Sequence, residues 1–199
     1  MHKEPLAGDD IFVVHDFLTP EECAALIERS EREGYQEATV NTPLGPMALK
    51  DIRDNARLVA DDPALAAALW QRAQPLLPQQ IAGWEAVGFN ERWRFYRYDP
   101  GQNFAPHYDG SFRRDSGQES KLTFLVYLND DFTGGTTDFY QDDDEETLRV
   151  RVFPKRGMAL VFAHRQLHEG AAVEHGRKYV LRTDVMYARG GTEGGHRQS

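Results

Sequence analysis

Cysteine is almost absent: Cys23 is the only one in 199 residues. A lone thiol forms no intrachain disulfide, and no cysteine-rich zinc site can be assembled. Long apolar runs are missing as well. No stretch approaches the ~20 apolar residues that cross a bilayer, and Met1-His2-Lys3-Glu4-Pro5 lacks the apolar core of a secretory signal. Basic charge is in deficit, with 23 Lys and Arg against 32 Asp and Glu, a net charge of −9 and a pI near 5.2. That balance argues against a general nucleic-acid or anionic-membrane surface. No internal repeat is visible. The expectation is a cytoplasmic protein with neither nucleic acid nor membrane as partner, its oligomeric state left open.

What is present suffices for one compact fold. A hydrophobic content of 40% with 11% aromatics supports a globular chain rather than a disordered one, and the length allows a core around a cofactor. Residues 1–189 are expected to form a single domain, with helical support over 1–90 and a β core over 91–189, followed by a flexible Gly-rich tail at 190–199. The N-terminal part is mixed. Ile11-Phe12-Val13-Val14 reads as a strand. Thr19-Pro20-Glu21-Glu22 opens a helix, because Thr19 can cap it, Pro20 suits the first helical position and Glu22 supplies the capping-box acid. A second helix is predicted from Pro63 to Gln74, where Leu65, Ala68, Leu69 and Ala73 recur near helical spacing. Downstream, short apolar segments alternate with Gly, Asp and Asn: Leu122 to Leu128, Thr137 to Tyr140, Leu148 to Phe153, Met158 to Phe162 and Tyr179 to Tyr187. Strands at this spacing point to an antiparallel barrel or sandwich.

The chemistry concentrates in a His-x-Asp triplet, His107-Tyr108-Asp109, with His168 far downstream. In an extended chain successive side chains point to opposite faces, so His107 and Asp109 share one face and Tyr108 turns away. His168 is too distant for a local metal loop but natural for a neighbouring strand. The triplet follows the aromatic run Trp93 to Tyr98 and a Pro100-Gly101 turn, and His168 follows Met158 to Phe162. Two imidazoles and one carboxylate on one side of a metal, with open positions opposite, suit non-heme Fe(II) oxygenases. His164 is set aside as an iron ligand because its segment reads as strand. His15, His175 and His196 have no partner pattern and read as surface or capping residues.

These residues sit in a series of blocks that resembles the Fe(II) and 2-oxoglutarate-dependent dioxygenases of the prolyl 4-hydroxylase type. The blocks are Phe95-Tyr96-Arg97-Tyr98-Asp99-Pro100-Gly101-Gln102, Pro106-His107-Tyr108-Asp109, Leu122 to Asp130, Gly134-Gly135-Thr136-Thr137-Asp138-Phe139, Pro154 to Phe162, His168-Glu169-Gly170 and Gly176-Arg177-Lys178-Tyr179. They fall in order across roughly half the chain, and together they are far more specific than any one alone. The resemblance implies a mainly β fold with flanking helices, a double-stranded β-helix, also called a jelly roll or cupin-like barrel. It implies that His107, Asp109 and His168 hold Fe(II), that 2-oxoglutarate and O2 are cosubstrates, and that ascorbate can act as auxiliary reductant. Lys178 matches the basic residue that pairs with the far carboxylate of 2-oxoglutarate, since a buried carboxylate needs a cation. Tyr98 and Thr137 match hydroxyl contacts to the same molecule. Arg182 rivals Lys178, because Lys178, Val180, Arg182 and Asp184 share one strand face. An internal salt bridge to Asp184 or another carboxylate is the favoured role for Arg182. Thr136 stands where the pattern has Glu, a departure that leaves the turn intact.

The implied activity is hydroxylation of a C–H bond, of a prolyl residue in a peptide or protein, of another protein side chain, or of a small molecule. A non-oxidative metal-dependent enzyme and a binding module without turnover are the readings from other classes. For the substrate, residues 41–57 are a candidate lid with Arg53, Asn55 and Arg57 as polar contacts, set against an ordinary surface loop. Arg113 and Arg114, just after Asp109, are candidate substrate contacts set against solvated loop arginines. The acidic run 142–146 reads first as a solvated hairpin loop and second as an attractor of basic peptides.

Overall fold

The computed structural model describes residues 1–38, 40–42, 45–47, 53–141 and 144–190. Two strands come first, β1 (His2–Ala7) and β2 (Ile11–His15), then helix α1 (Pro20–Glu33). The predicted capping box closes α1: Glu22 N donates to Thr19 Oγ1 at 3.2 Å, and Thr19 N donates to Glu22 Oε2 at 2.8 Å. After β3 (Ala56–Asp61), helix α2 (Pro63–Ala73) begins at Asp62, whose carboxylate accepts from Leu65 N at 2.9 Å. There follow β4 (Trp84–Phe89), β5 (Arg92–Tyr98), β6 (Phe104–His107) and β7 (Glu119–Tyr127). The chain continues with β8 (Thr137–Gln141), β9 (Asp144–Val152), β10 (Ala159–Ala163), β11 (His168–Gly170) and β12 (Lys178–Arg189).

Two antiparallel sheets face each other, and together they form the double-stranded β-helix. The larger runs β1-β2-β10-β7-β12-β5-β3, with β4 paired to the C-terminal half of β12. The smaller runs β6-β11-β8-β9. The region 1–90, expected as helical support, therefore gives strands β1, β2, β3 and β4 to the large sheet beside its two helices.

Alternation along the central strands separates two cores. Trp93 and Phe95 of β5, Phe124 and Val126 of β7, and Leu181 and Val185 of β12 pack with Phe12, Phe17 and the α2 residues Ala66 and Leu69. The intervening residues, Tyr96, Tyr98, Leu125, Tyr127 and Val180, face the smaller sheet and pack with Phe139, Leu160 and Phe162. Period-two geometry thus gives each strand one face toward the helices and one toward the barrel interior. The interior face carries the polar residues Thr123, Lys178 and Arg182 along with the aromatics.

No helix among the described residues is long and apolar enough to cross a membrane. Of the candidate lid, only 41–42, 45–47 and 53–57 are described, the first two as strands of a hairpin pairing Val40–Thr42 with Gly45–Met47. In the acidic run, 142 and 143 lie outside the described residues while Asp144 opens β9. The tail 191–199 also lies outside them.

Candidate active site

His107 and His168 are register partners on β6 and β11, which brings their rings to 4.3 Å between centroids. Strand β6 ends at His107, so Asp109 lies just past the strand rather than within it, as Asp109 N donates to His164 O at 3.2 Å. The carboxylate still swings to the imidazoles. Its Oδ1 lies 3.7 Å from His107 Nε2 and its Oδ2 lies 3.9 Å from His168 Nε2. One potential ligand atom from each of the three residues lies within 4.8 Å of the others.

The surroundings fix the orientation of both imidazoles. His107 Nδ1 sits 2.8 Å from Ala105 O and His168 Nδ1 sits 3.0 Å from Gln166 O. A carbonyl only accepts, so each Nδ1 carries the proton and each Nε2 presents its lone pair to the centre. Phe104 stacks on His107 at 3.6 Å, while Phe162 and Phe139 pack on His168 at 4.5 and 5.7 Å. Burial holds His168 down at about 4, keeping the ring neutral, with His107 acting in the same sense against Asp109. For Asp109, burial favours the neutral acid, but the guanidinium of Arg182 leads the causes that outweigh it and hold the carboxyl well below its ordinary value. Arg182 Nη2 lies 2.9 Å from Asp109 Oδ1, and Thr123 Oγ1 donates to Asp109 Oδ2 at 2.5 Å. Two neutral imidazoles and one ionised carboxylate fit the donor set of a non-heme Fe(II) centre.

Lys178 stands across the same cavity. It is the register partner of Tyr98, is 3% exposed, and donates to Gly135 O at 2.7 Å. No carboxylate among the described residues lies within ion-pair distance of it. Burial pushes its ammonium down to about 7, only partly offset by Asp138. Tyr98 and Tyr127 flank the ammonium at 5.2 and 5.5 Å from their ring centres. The Tyr127 and Thr137 hydroxyls are 2.8 Å apart. The cavity between Lys178 and the His107, Asp109 and His168 cluster is lined by Leu125, Phe162 and Val180 along with these residues.

Residues 93–183 match the model of the 2OG-Fe(II) oxygenase superfamily. This segment belongs to that superfamily. His107, Asp109, His168, Lys178 and Arg182 all fall inside the matched range. Over most of its length the chain is similar to prolyl 4-hydroxylases. It is 27% identical over 193 residues to prolyl 4-hydroxylase 1 of Arabidopsis thaliana, covering 85% of this chain and 66% of that protein. It is also 27% identical over 133 residues to probable prolyl 4-hydroxylase 3 of the same plant, covering 64% and 44%. The chain thus spans less than two thirds of the length of these relatives. Among solved structures, a Pseudomonas putida prolyl-4-hydroxylase aligns with a TM-score of 0.66 at 20% identity, covering 90% of this chain and 94% of that one. A Trichoplax adhaerens prolyl hydroxylase, solved with a hypoxia inducible factor peptide fragment, aligns at 0.67 and 16% identity, covering 90% and 84%. At these identities the structural likeness carries the fold alone.

Several contacts of the oxygenase core escape sequence reasoning. Arg182 forms the expected internal salt bridges, to Asp184 at 3.5 Å and, nearer, to Asp109 at 2.9 Å, a partner the sequence did not single out. Thr123 and Phe104 adjoin the metal-site residues through strand pairing that no local motif encodes. Arg113 and Arg114 do not face the site: Arg113 pairs with Glu119 at 3.0 Å, and Arg114 reaches Gln118 and Glu91. His164 is buried, 3.8 Å from Asp184. His15, which has no partner pattern in the sequence, stacks on His2 at 4.4 Å and lies 2.6 Å from Glu4 Oε2. His175 is exposed, and His196 lies outside the described residues. Asn55 is fully buried and Arg53 nearly so, so neither is a surface-loop residue.

Proposed function

We propose that the protein is a 2-oxoglutarate-dependent dioxygenase that hydroxylates a C–H bond, with a prolyl residue of a peptide or protein as the first candidate. One observation carries this reading: a buried lysine with no carboxylate partner among the described residues faces a two-histidine, one-carboxylate cluster across a single cavity. The cation matches a dicarboxylate that reaches from the metal to the barrel wall. Hydrolytic metal enzymes have no need of such a lysine, and a binding module has no need of an open metal face.

In this reading His107, Asp109 and His168 hold Fe(II) and leave one side open. Bound together, iron, 2-oxoglutarate and O2 supply oxidative decarboxylation to succinate and CO2, with the second oxygen atom passing to the substrate carbon. The residues of this chain orient and protect. Lys178 pairs with the far carboxylate, Tyr98 and Thr137 offer hydroxyls beside it, and Leu125, Phe162 and Val180 exclude water. Arg182 and Thr123 keep Asp109 ionised and aimed. Ascorbate is the auxiliary reductant expected on family grounds.

The test is succinate release with Fe(II), O2 and a panel of prolyl peptides, with and without 2-oxoglutarate. Turnover that depends on 2-oxoglutarate is expected. Substrate conversion that continues undiminished without it contradicts the reading.

A further inference from the structure

The mouth of the cavity has a charge opposite to that of the chain. The protein carries −9, yet Arg53, Arg57, Arg94 and Arg182 line the opening beside His107, against two carboxylates, Asp109 and Asp184. Both carboxylates are already engaged, Asp109 by Arg182 at 2.9 Å and Asp184 by Arg94 at 3.2 Å.

Arg53 is paired with neither of these acids. It is 5% exposed, and its guanidinium lies 4.4 Å from the ring centres of both Tyr96 and Phe104. Its backbone forms a bridge with Phe104, and its Nε donates to Asn55 Oδ1 at 2.6 Å. Its Nη2 is buried and has no hydrogen-bond partner among the described residues. The Tyr96 hydroxyl in the same wall is buried without a well-aligned hydrogen-bond partner among the described residues, and it interacts with the Arg53 and Arg182 guanidiniums. Burying a guanidinium edge is costly unless an acceptor meets it. Burial favours the neutral Tyr96 phenol, but Arg182, Arg53 and Arg94 outweigh it and hold the group at about 8, a sign of a strongly positive local field. Burial, and then the neighbouring Arg53, depress Arg57 in the same field.

The dicarboxylate cosubstrate does not meet this need. Lys178, Tyr98 and Thr137 line the inner chamber, whereas Arg53 lines only the outer one, on the open side of His107 and Asp109. An anion bound at Arg53 therefore belongs to the molecule that enters after the cosubstrate.

We propose that Arg53 anchors a carboxylate of the substrate, so that the protein acts on molecules carrying an anionic group beside the carbon to be hydroxylated. This specificity rests on the dioxygenase reading above. Two sources share the chemistry: the free carboxylate of an amino-acid-like molecule, and an acidic side chain next to the target residue of a peptide. Planar guanidinium matches either, because two parallel N–H donors fit a carboxylate.

The test uses matched pairs of probes on arginine-labelled protein holding Zn(II) as a diamagnetic metal and 2-oxoglutarate. N-acetyl-L-proline is compared with N-acetyl-L-prolinamide, and acetyl-Glu-Pro-amide with acetyl-Gln-Pro-amide. The Arg53 Nε–H resonance, assigned by Arg53→Gln, reports binding. At least one carboxylate probe should shift it saturably and bind about tenfold or more tightly than its amide, the scale of one charge-assisted hydrogen bond. The responding pair identifies the source. Arg53→Gln should abolish the preference and Arg53→Lys should restore part of it. Equal binding of carboxylate and amide, no saturable shift with any carboxylate, or a preference that survives Arg53→Gln overturns the proposal. The same titration in metal-free protein without 2-oxoglutarate separates the two readings. Failure of 2-oxoglutarate to bind refutes the dioxygenase, while the Arg53 response there is judged on its own.

Discussion

Arg182 reaches Asp109 across 2.9 Å in the floor of the cavity, and the two groups are buried together. Their pairing explains how a buried carboxylate stays ionised without a metal. Replacing Arg182 by Met should leave that carboxylate buried without its cation and cost ~3–5 kcal/mol in the metal-free protein. A bound divalent ion replaces the lost positive charge, so the loss should shrink on metal loading. Chemical denaturation with and without Zn(II) checks this. An equal loss in both states contradicts the role.

Lys178 sets a pH dependence with a definite sign. Its pKa falls from 10.5 in the unfolded chain to about 7 in the fold. Between these values the unfolded chain binds the proton more tightly, so stability rises with pH through that window, and the burial cost is fully present below about 7. Lys178→Met should flatten the rise and make the ligand-free protein at neutral pH more stable than the native chain. Its 2-oxoglutarate affinity should fall by about tenfold or more, the value of a charge-assisted contact. Because 2-oxoglutarate brings a carboxylate to the ammonium, its binding near pH 8.5 should take up a proton. Calorimetry in buffers of different ionisation enthalpy measures that uptake, and none is expected in the variant.

Thr123 donates to the Asp109 oxygen that faces His168. Thr123→Val keeps the shape and removes the hydrogen bond, which to a charged acceptor is worth ~1.5–3 kcal/mol. Iron affinity should drop about tenfold or more, since 1.4 kcal/mol is a factor of ten. Unaltered iron binding in a competition titration would show that Arg182 alone positions the carboxylate.

Gly135 couples the turn before β8 to the cosubstrate end. It has φ +62°, its carbonyl accepts from Lys178, and an added Cβ would lie 3.2 Å from Lys178 Cδ and 3.0 Å from Phe132 Cε2. Left-handed backbone costs a residue with a side chain ~1–2 kcal/mol, and the contact presses on the lysine stem. Gly135→Ala should weaken 2-oxoglutarate binding more than it weakens iron binding. Separate titrations of the two ligands decide the matter.

Much of the barrel was legible because its central strands obey period two and its turns carry Gly, Pro and Asp. Trp93 to Tyr98 and Leu122 to Leu128 read correctly as strands, as did the capped helix at Thr19. Strands β3 and β4 were not legible, since Ala56–Asp61 and Trp84–Phe89 alternate weakly and are held by pairing with β5 and β12. The His107, Asp109 and His168 set was visible as residue types, but its closeness depends on the register of β6 against β11. Arg182 was legible as a former of an internal salt bridge and Arg53 as a polar contact of the 41–57 segment, but the same limit hid which carboxylate lies nearest Arg182 and which strand holds Arg53. Arg53 arrives there through a single bridge to Phe104, from a stretch that reads as loop. Contacts made across sheets are written in no local window.

In the proposed function one cavity holds Fe(II) at His107, Asp109 and His168 and 2-oxoglutarate against Lys178. The most direct measurement is an anaerobic titration of the iron-loaded protein with 2-oxoglutarate, followed by the weak visible absorption of iron and 2-oxoglutarate bound together. Asp109→Ala and Lys178→Ala are run beside it. The account predicts a band in the native protein that is lost in the Asp109 variant and shifted to higher 2-oxoglutarate concentration in the Lys178 variant. A folded, iron-loaded native protein that develops no band would contradict it.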